Sequence, residues 1–148
     1  MFVKQFSGAI LVSAALLFSL TATFAHAEDA AKEHGPIAWT ESLENAKKTA
    51  AKDKKIIFVD VWATWCGPCK QMLKTTYQDK QVVERSKKFI PVLVNFDKEP
   101  AFVKKYHITQ IPVVMFLDTK GNVLKRAEFL DAKGMLKLMD EVGKKGKG

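Results

Sequence analysis

Apolar positions along the chain concentrate in three short runs, Ile56–Trp62, Ile90–Phe96 and Val113–Leu117. The first, interrupted only by Asp60, reads as a central strand buried on both faces, the second as another buried strand and the third as a third strand. Between the runs the spacing turns helical. Thr40 or Ser42 can cap a helix to about Asp53, with Trp39, Leu43, Ala46 and Ala50 turned inward. A second helix is expected from Cys66 to about Tyr77. Asp79 caps a third, Gln81–Lys88, that turns Val82 and Val83 inward. Pro100–Tyr106 reads as a short helix with proline in its first turn. Thr119–Asn122 is a turn, and Val123–Glu128 returns antiparallel to the third run. Asp131 then caps a last helix to about Val142, with Met135, Leu138 and Met139 on its apolar side. Helix joins the first two strands, which makes them parallel neighbours, and the last two form a hairpin. The pattern predicts an α/β fold with a single mixed sheet and helices on both faces.

The N-terminal stretch follows a different logic. Lys4 is followed by a largely apolar segment, Gly8–Phe24, and by Ala25-His26-Ala27. That order reads as a secretory signal cleaved after Ala27. Ser13, Ser19, Thr21 and Thr23 make a retained anchor the poorer reading, and no cysteine precedes Cys66 to carry an acyl anchor. The expected division is a signal at 1–27, a flexible polar lead-in at 28–36, one domain at 37–143 and a basic tail at 144–148. The expected location is periplasmic or otherwise exported. The formal net charge is +8, but Lys47, Lys48, Lys52, Lys54 and Lys55 lie along one helix, and no exposed aromatics interleave with them. Nucleic acid is therefore not an expected partner.

Two cysteines, Cys66 and Cys69, are the only ones in the chain. A loop so short stabilises little when closed, so the pair points to chemistry rather than stapling. A structural zinc site wants four ligands, and beyond the signal only His34 and His107 are on offer. A c-type haem site needs histidine after the second cysteine, where Lys70 stands. Thiol–disulfide exchange and the carrying of a soft ion such as Cu(I) stay open. Exchange needs a reactive thiolate and a second thiol within reach. A helix start supplies the first, because unpaired N–H groups and the helix dipole stabilise negative sulfur. Cys66 would then attack and Cys69, one turn in, would resolve. Pro68 suits a first helical turn, Gly67 leaves room for a partner chain, and Trp65 is a partly exposed docking surface. Trp62 reads as core, and His107 as a solvated loop residue.

The run Phe58-Val59-Asp60-Val61-Trp62-Ala63-Thr64-Trp65-Cys66-Gly67-Pro68-Cys69-Lys70 resembles the active-site strand and loop of the thioredoxin family, and Tyr106–Val113 resembles its second signature. The resemblance covers about Trp39 to Val142. Ile37-Ala38-Trp39, Ser42-Leu43 and Thr75-Thr76-Tyr77 are more similar to the exported branch, which includes the C-terminal domain of the transmembrane thiol-reductant conductor. The resemblance implies a thioredoxin-like fold and a cis Pro112 that presents the backbone of Ile111 to a substrate peptide. It also implies a buried Asp60 of raised pKa that exchanges a proton with Cys69. The expected partners are protein disulfides and, outside the cytoplasm where free thiol reductants are scarce, a membrane reductant donor; the chain is expected to be a monomer with no cofactor or metal beyond the Cys66–Cys69 disulfide. The Gly67-Pro68 insert favours the reducing direction, against oxidase or isomerase work. Three positions depart from the family: Leu93 replaces a buried lysine, Lys74 a helix-kinking proline, and Glu128 or Phe129 a glycine on the docking rim.

Overall fold

The computed structural model describes residues 34–145. The signal, most of the lead-in and the end of the basic tail lie outside the described residues. The elements are α1 (Leu43–Asp53), β1 (Ile57–Trp62), α2 (Gly67–Lys74), a 3₁₀ turn (Thr76–Gln78), α3 (Lys80–Ser86), β2 (Ile90–Asn95), α4 (Pro100–Lys105), β3 (Val113–Leu117), β4 (Val123–Ala127) and α5 (Ala132–Lys145).

One sheet runs in the order β2-β1-β3-β4. β1 pairs parallel with β2 and antiparallel with β3, and β3 pairs antiparallel with β4. Every residue of β1 is buried, as a largely apolar run requires of a strand covered on both faces. Alternation divides the run between two cores. Ile57, Val59 and Val61 pack with Ala46 and Ala50 of α1 and Phe102 of α4. Phe58 and Trp62 pack with Met72 and Leu73 of α2, Val82 of α3 and Met135 and Met139 of α5. Period two puts Asp60 on that second face.

The differences from expectation have local causes. Ser42 is the cap of α1, accepting from Asn45 N–H at 3.2 Å, while Thr40 bridges to Val92 and extends the edge of the sheet. α2 stops at Lys74 instead of reaching Tyr77. Thr75 leaves helical geometry at φ −123°, ψ −71°, and the next residue is tied elsewhere, with Thr76 Oγ1 donating to Leu130 O at 2.7 Å. Asp131 caps α5 as expected, accepting from Gly134 N–H, but the helix runs on to Lys145. The packed chain begins before Ile37. His34 is 5% exposed with its ring 4.3 Å from that of Trp62, so the last residues of the lead-in are built into the fold.

Candidate active site

The end of the sheet where β1 finishes gathers three loops. β1 leaves through Ala63–Trp65 into α2. β2 ends at Asn95, opposite Trp62, so Asp97 lies at the same end. β3 begins at Val113, opposite Val61, so Ile111 and Pro112 stand across from Trp62.

Cys66 is the N-cap of α2, and its Sγ accepts the Cys69 N–H at 3.2 Å. Gly67 and Pro68 fill the first turn and are exposed. Nothing lies within 4 Å of where a Cβ on Gly67 would stand, so that side of the pair is open to a partner. Cys66 and Cys69 form a disulfide with their Cα atoms 5.3 Å apart. The exposed thiolate expected at position 66 is more covered than that: Cys66 is 3% exposed and Cys69 2%. Trp65 stands out beside them at 62% exposure, yet it is held. Its indole N–H donates to Asp97 Oδ2 at 2.9 Å, and Phe96 meets it edge-on at 6.1 Å. Trp62 is 7% exposed and belongs to the core beneath.

The Ile111–Pro112 peptide is cis. Pro112 is buried and Ile111 is half-buried against the cluster that holds both cysteines. Beyond it, Gln110 Nε2 donates to Glu128 Oε1, and Phe129 is exposed. The rim position where the family carries a small residue is thus occupied by a charged and an aromatic side chain.

Asp60 is 2% exposed. Burial pushes its pKa from 3.8 up to about 7, with the Tyr77 hydroxyl pulling the other way. Leu93 and Val114 flank it in register, so neither neighbouring strand brings a charge. The Tyr77 hydroxyl is pushed well above its ordinary value, first by burial and then by the Asp60 charge. The two groups interact, yet neither Asp60 Oδ1 nor Tyr77 Oη makes a hydrogen bond of ordinary geometry.

All eight residues singled out from the sequence lie at or directly behind this end of the sheet. The sequence reading missed three contacts. An aromatic such as Tyr77 reads as core filler, Asp97 as a solvated loop acid, and nothing in spacing joins Gln110 to Glu128. Among the described residues no group of three or more His, Cys, Asp or Glu is placed to hold a metal ion. A surface cavity of about 500 Å³, lined by Lys54, Ile56, Phe89 and Met139, shares no residue with the site. The site itself is an exposed rim around a covered disulfide.

A mixed sheet with a disulfide at the first turn of a flanking helix, a buried acid behind it and a cis proline across from it defines a thioredoxin-like fold. Residues 38–119 match the Thioredoxin-like family, and the chain belongs to it. Thiol:disulfide interchange protein DsbD of Haemophilus influenzae is 28% identical over 100 residues, covering 63% of this chain and 17% of its own length. Thioredoxin-1 of Drosophila melanogaster is 35% identical over 72 residues, covering 48% of this chain and 64% of its own. A thioredoxin from Thermus thermophilus shares the fold at TM-score 0.67 and 20% identity, over 74% of this chain and 89% of its own. The chain therefore spans about a sixth of the length of the DsbD it matches.

Proposed function

We propose that the protein is a thiol–disulfide oxidoreductase that reduces disulfides of exported proteins. The observation that carries the reading is the Cys66–Cys69 disulfide at the start of α2, with a backbone N–H aimed at the Cys66 sulfur. The exposed rim of Trp65, Gly67 and Pro68 suits a protein chain laid across the surface. Across from it, Ile111 would offer its backbone for strand-like pairing, with Pro112 holding the edge in place.

In the cycle, the Cys66 thiolate attacks one sulfur of a substrate disulfide and forms a mixed disulfide, and the other substrate sulfur leaves as a thiolate. Cys69 then gives its proton to the Asp60 carboxylate and attacks Cys66. The Cys66–Cys69 bond forms, and the second substrate thiol is released. Two electrons pass from protein to substrate and no other cofactor is needed. Restoring the dithiol needs a donor. The signal-like N-terminus and the similarity to DsbD support a membrane thiol-reductant in that role, in the periplasm or its equivalent. The Gly67-Pro68 insert supports the reducing direction. Thioredoxin itself lies near about −270 mV and a strong oxidant near about −120 mV.

The test is turnover of insulin disulfides with the full chain. Cys66→Ser should abolish it. Cys69→Ser should hold the substrate covalently on Cys66, where mass spectrometry identifies it. A midpoint potential above about −180 mV would instead make the protein an oxidase or isomerase. Tight Cu(I) binding without insulin turnover would make it a metal carrier.

A further inference from the structure

β4 ends at Ala127, which stands opposite Val114. Glu128 and Phe129 therefore follow at the end of the sheet where Ile111 and Pro112 lead into β3. Glu128 is tied to that edge directly, because the side chain that donates to its Oε1 belongs to Gln110, the neighbour of Ile111. Both residues of the pair are exposed, so the bond adds little to stability. Its consequence is placement: a carboxylate is held beside the backbone on which a partner chain would pair.

The charge of that carboxylate is left uncompensated. Gln110 is a neutral donor, and among the described residues no cation lies within ion-pair distance of Glu128. This is unusual surroundings for an acid in a chain of net charge +8, and the cations close to it in sequence or in the facing loop are engaged elsewhere. Lys125 Nζ stands 3.7 Å from Glu141 Oε2. Arg126 Nη1 donates to Tyr106 O at 3.0 Å, and Lys105 lies over the Tyr106 ring at 5.2 Å. Lys70 and Lys74 on α2 are exposed and unpaired with it. Beside the carboxylate, Phe129 offers an apolar face at 41% exposure.

We propose that Glu128 is a specificity-determining residue: it selects partner chains that carry a lysine or arginine close to the reacting cysteine. This rests on the reading of the Cys66–Cys69 pair as a thiol–disulfide exchange site. Two strand spacings, roughly 10 Å, separate β4 from β1, and an extended chain covers that distance in about three residues. The selected cation therefore stands about three residues from the cysteine, where it meets Glu128 and lays its stem on Phe129. Charge placed at the rim acts on the rate of encounter and penalises partners of like charge. The covalent step is the exchange already described, and Glu128 makes and breaks no bond in it.

The test uses the reduced full chain and three peptides of one length. Each carries a single cysteine as a mixed disulfide with mercaptoethanol, and lysine, glutamine or glutamate at the third position to either side. Release of the peptide thiol is timed by acid quench and chromatography at low salt. Lys70 and Lys74 oppose a basic partner and Asp97 favours one, so the readout is the ratio of lysine-peptide to glutamate-peptide rates, compared between proteins. Glu128→Gln should lower that ratio about fivefold, and Glu128→Lys should lower it further. Glu141→Gln makes the same change in net charge away from the rim and should leave the ratio as it is. Salt at 0.5 M should erase most of the difference between the wild-type chain and Glu128→Gln. A ratio unmoved by both Glu128 variants, or lowered as much by Glu141→Gln, overturns the proposal. A protein that reacts with all three peptides but does not distinguish them through Glu128 remains an oxidoreductase without this selection. One that reacts with none overturns the oxidoreductase reading and the selection together.

Discussion

Asp60 shows how one residue can be readable in the sequence while its partner is not. A carboxylate between Val59 and Val61 stands out because a covered strand has no water to give it. Folding then has a pH-dependent cost. The carboxyl binds its proton more tightly folded, at about 7, than at the ordinary value of 3.8. Stability therefore falls as pH rises from about 4 to about 7 and levels off above, by roughly 4 kcal/mol in total. Asp60→Asn should raise the unfolding free energy at pH 8 by a few kcal/mol more than at pH 4. Urea melts at both pH values check this, and an equal gain at both would mean that the carboxyl titrates normally. The same variant should slow insulin reduction, because Cys69 would lose its proton acceptor. Tyr77 was legible only as an apolar wedge. Residues 60 and 77 belong to different elements, and no periodicity relates them.

Among the elements, type and order followed from pattern, and the ends followed from individual hydrogen bonds. α3 takes the expected cap and begins at Lys80, one residue before the expected Gln81, because Asp79 takes two backbone N–H groups, those of Gln81 at 2.9 Å and Val82 at 3.0 Å. Asp79→Ala should lower stability by about 1 kcal/mol in urea unfolding, and Asp79→Asn should recover most of it. The end of α2 could not be read the same way. Nothing in Lys74-Thr75-Thr76-Tyr77 breaks a helix outright. The chain leaves the helix there because Thr76 finds a carbonyl 54 residues away, at Leu130. That departure turns the Tyr77 ring under β1. The sharpest element signal, a helix start at Cys66, was legible because Gly67-Pro68 suits a first turn and the apolar run before it ends in a loop.

At the scale of the whole molecule, the disulfide and the fold share one free energy. A disulfide of low potential is one that the folded state stabilises relative to its dithiol form; a strong oxidant has the more stable reduced form. If the protein works as a reductant of other disulfides, its oxidised form should need more urea to unfold than its dithiol form. A more stable dithiol form would place it among the oxidants. Chemical denaturation of the two redox states decides the direction independently of any substrate. The sequence by itself determined the elements, the two-sided burial of β1, the cysteine pair at a helix start and the odd carboxylate behind it. Those are local facts, set by side-chain period, capping chemistry and the water that a buried strand excludes. Only the tertiary structure decided that β3 pairs along the other side of β1, that Asp97 restrains Trp65, and that Gln110 reaches Glu128 at the rim. It alone buried the Tyr77 hydroxyl in the layer behind β1, where burial and then the Asp60 charge push its pKa up. Each of these joins residues far apart in the chain, through packing that pattern along one strand or helix does not encode. The chemistry of the dithiol was therefore written locally, and the tuning of its proton and the shape of its partner surface were not.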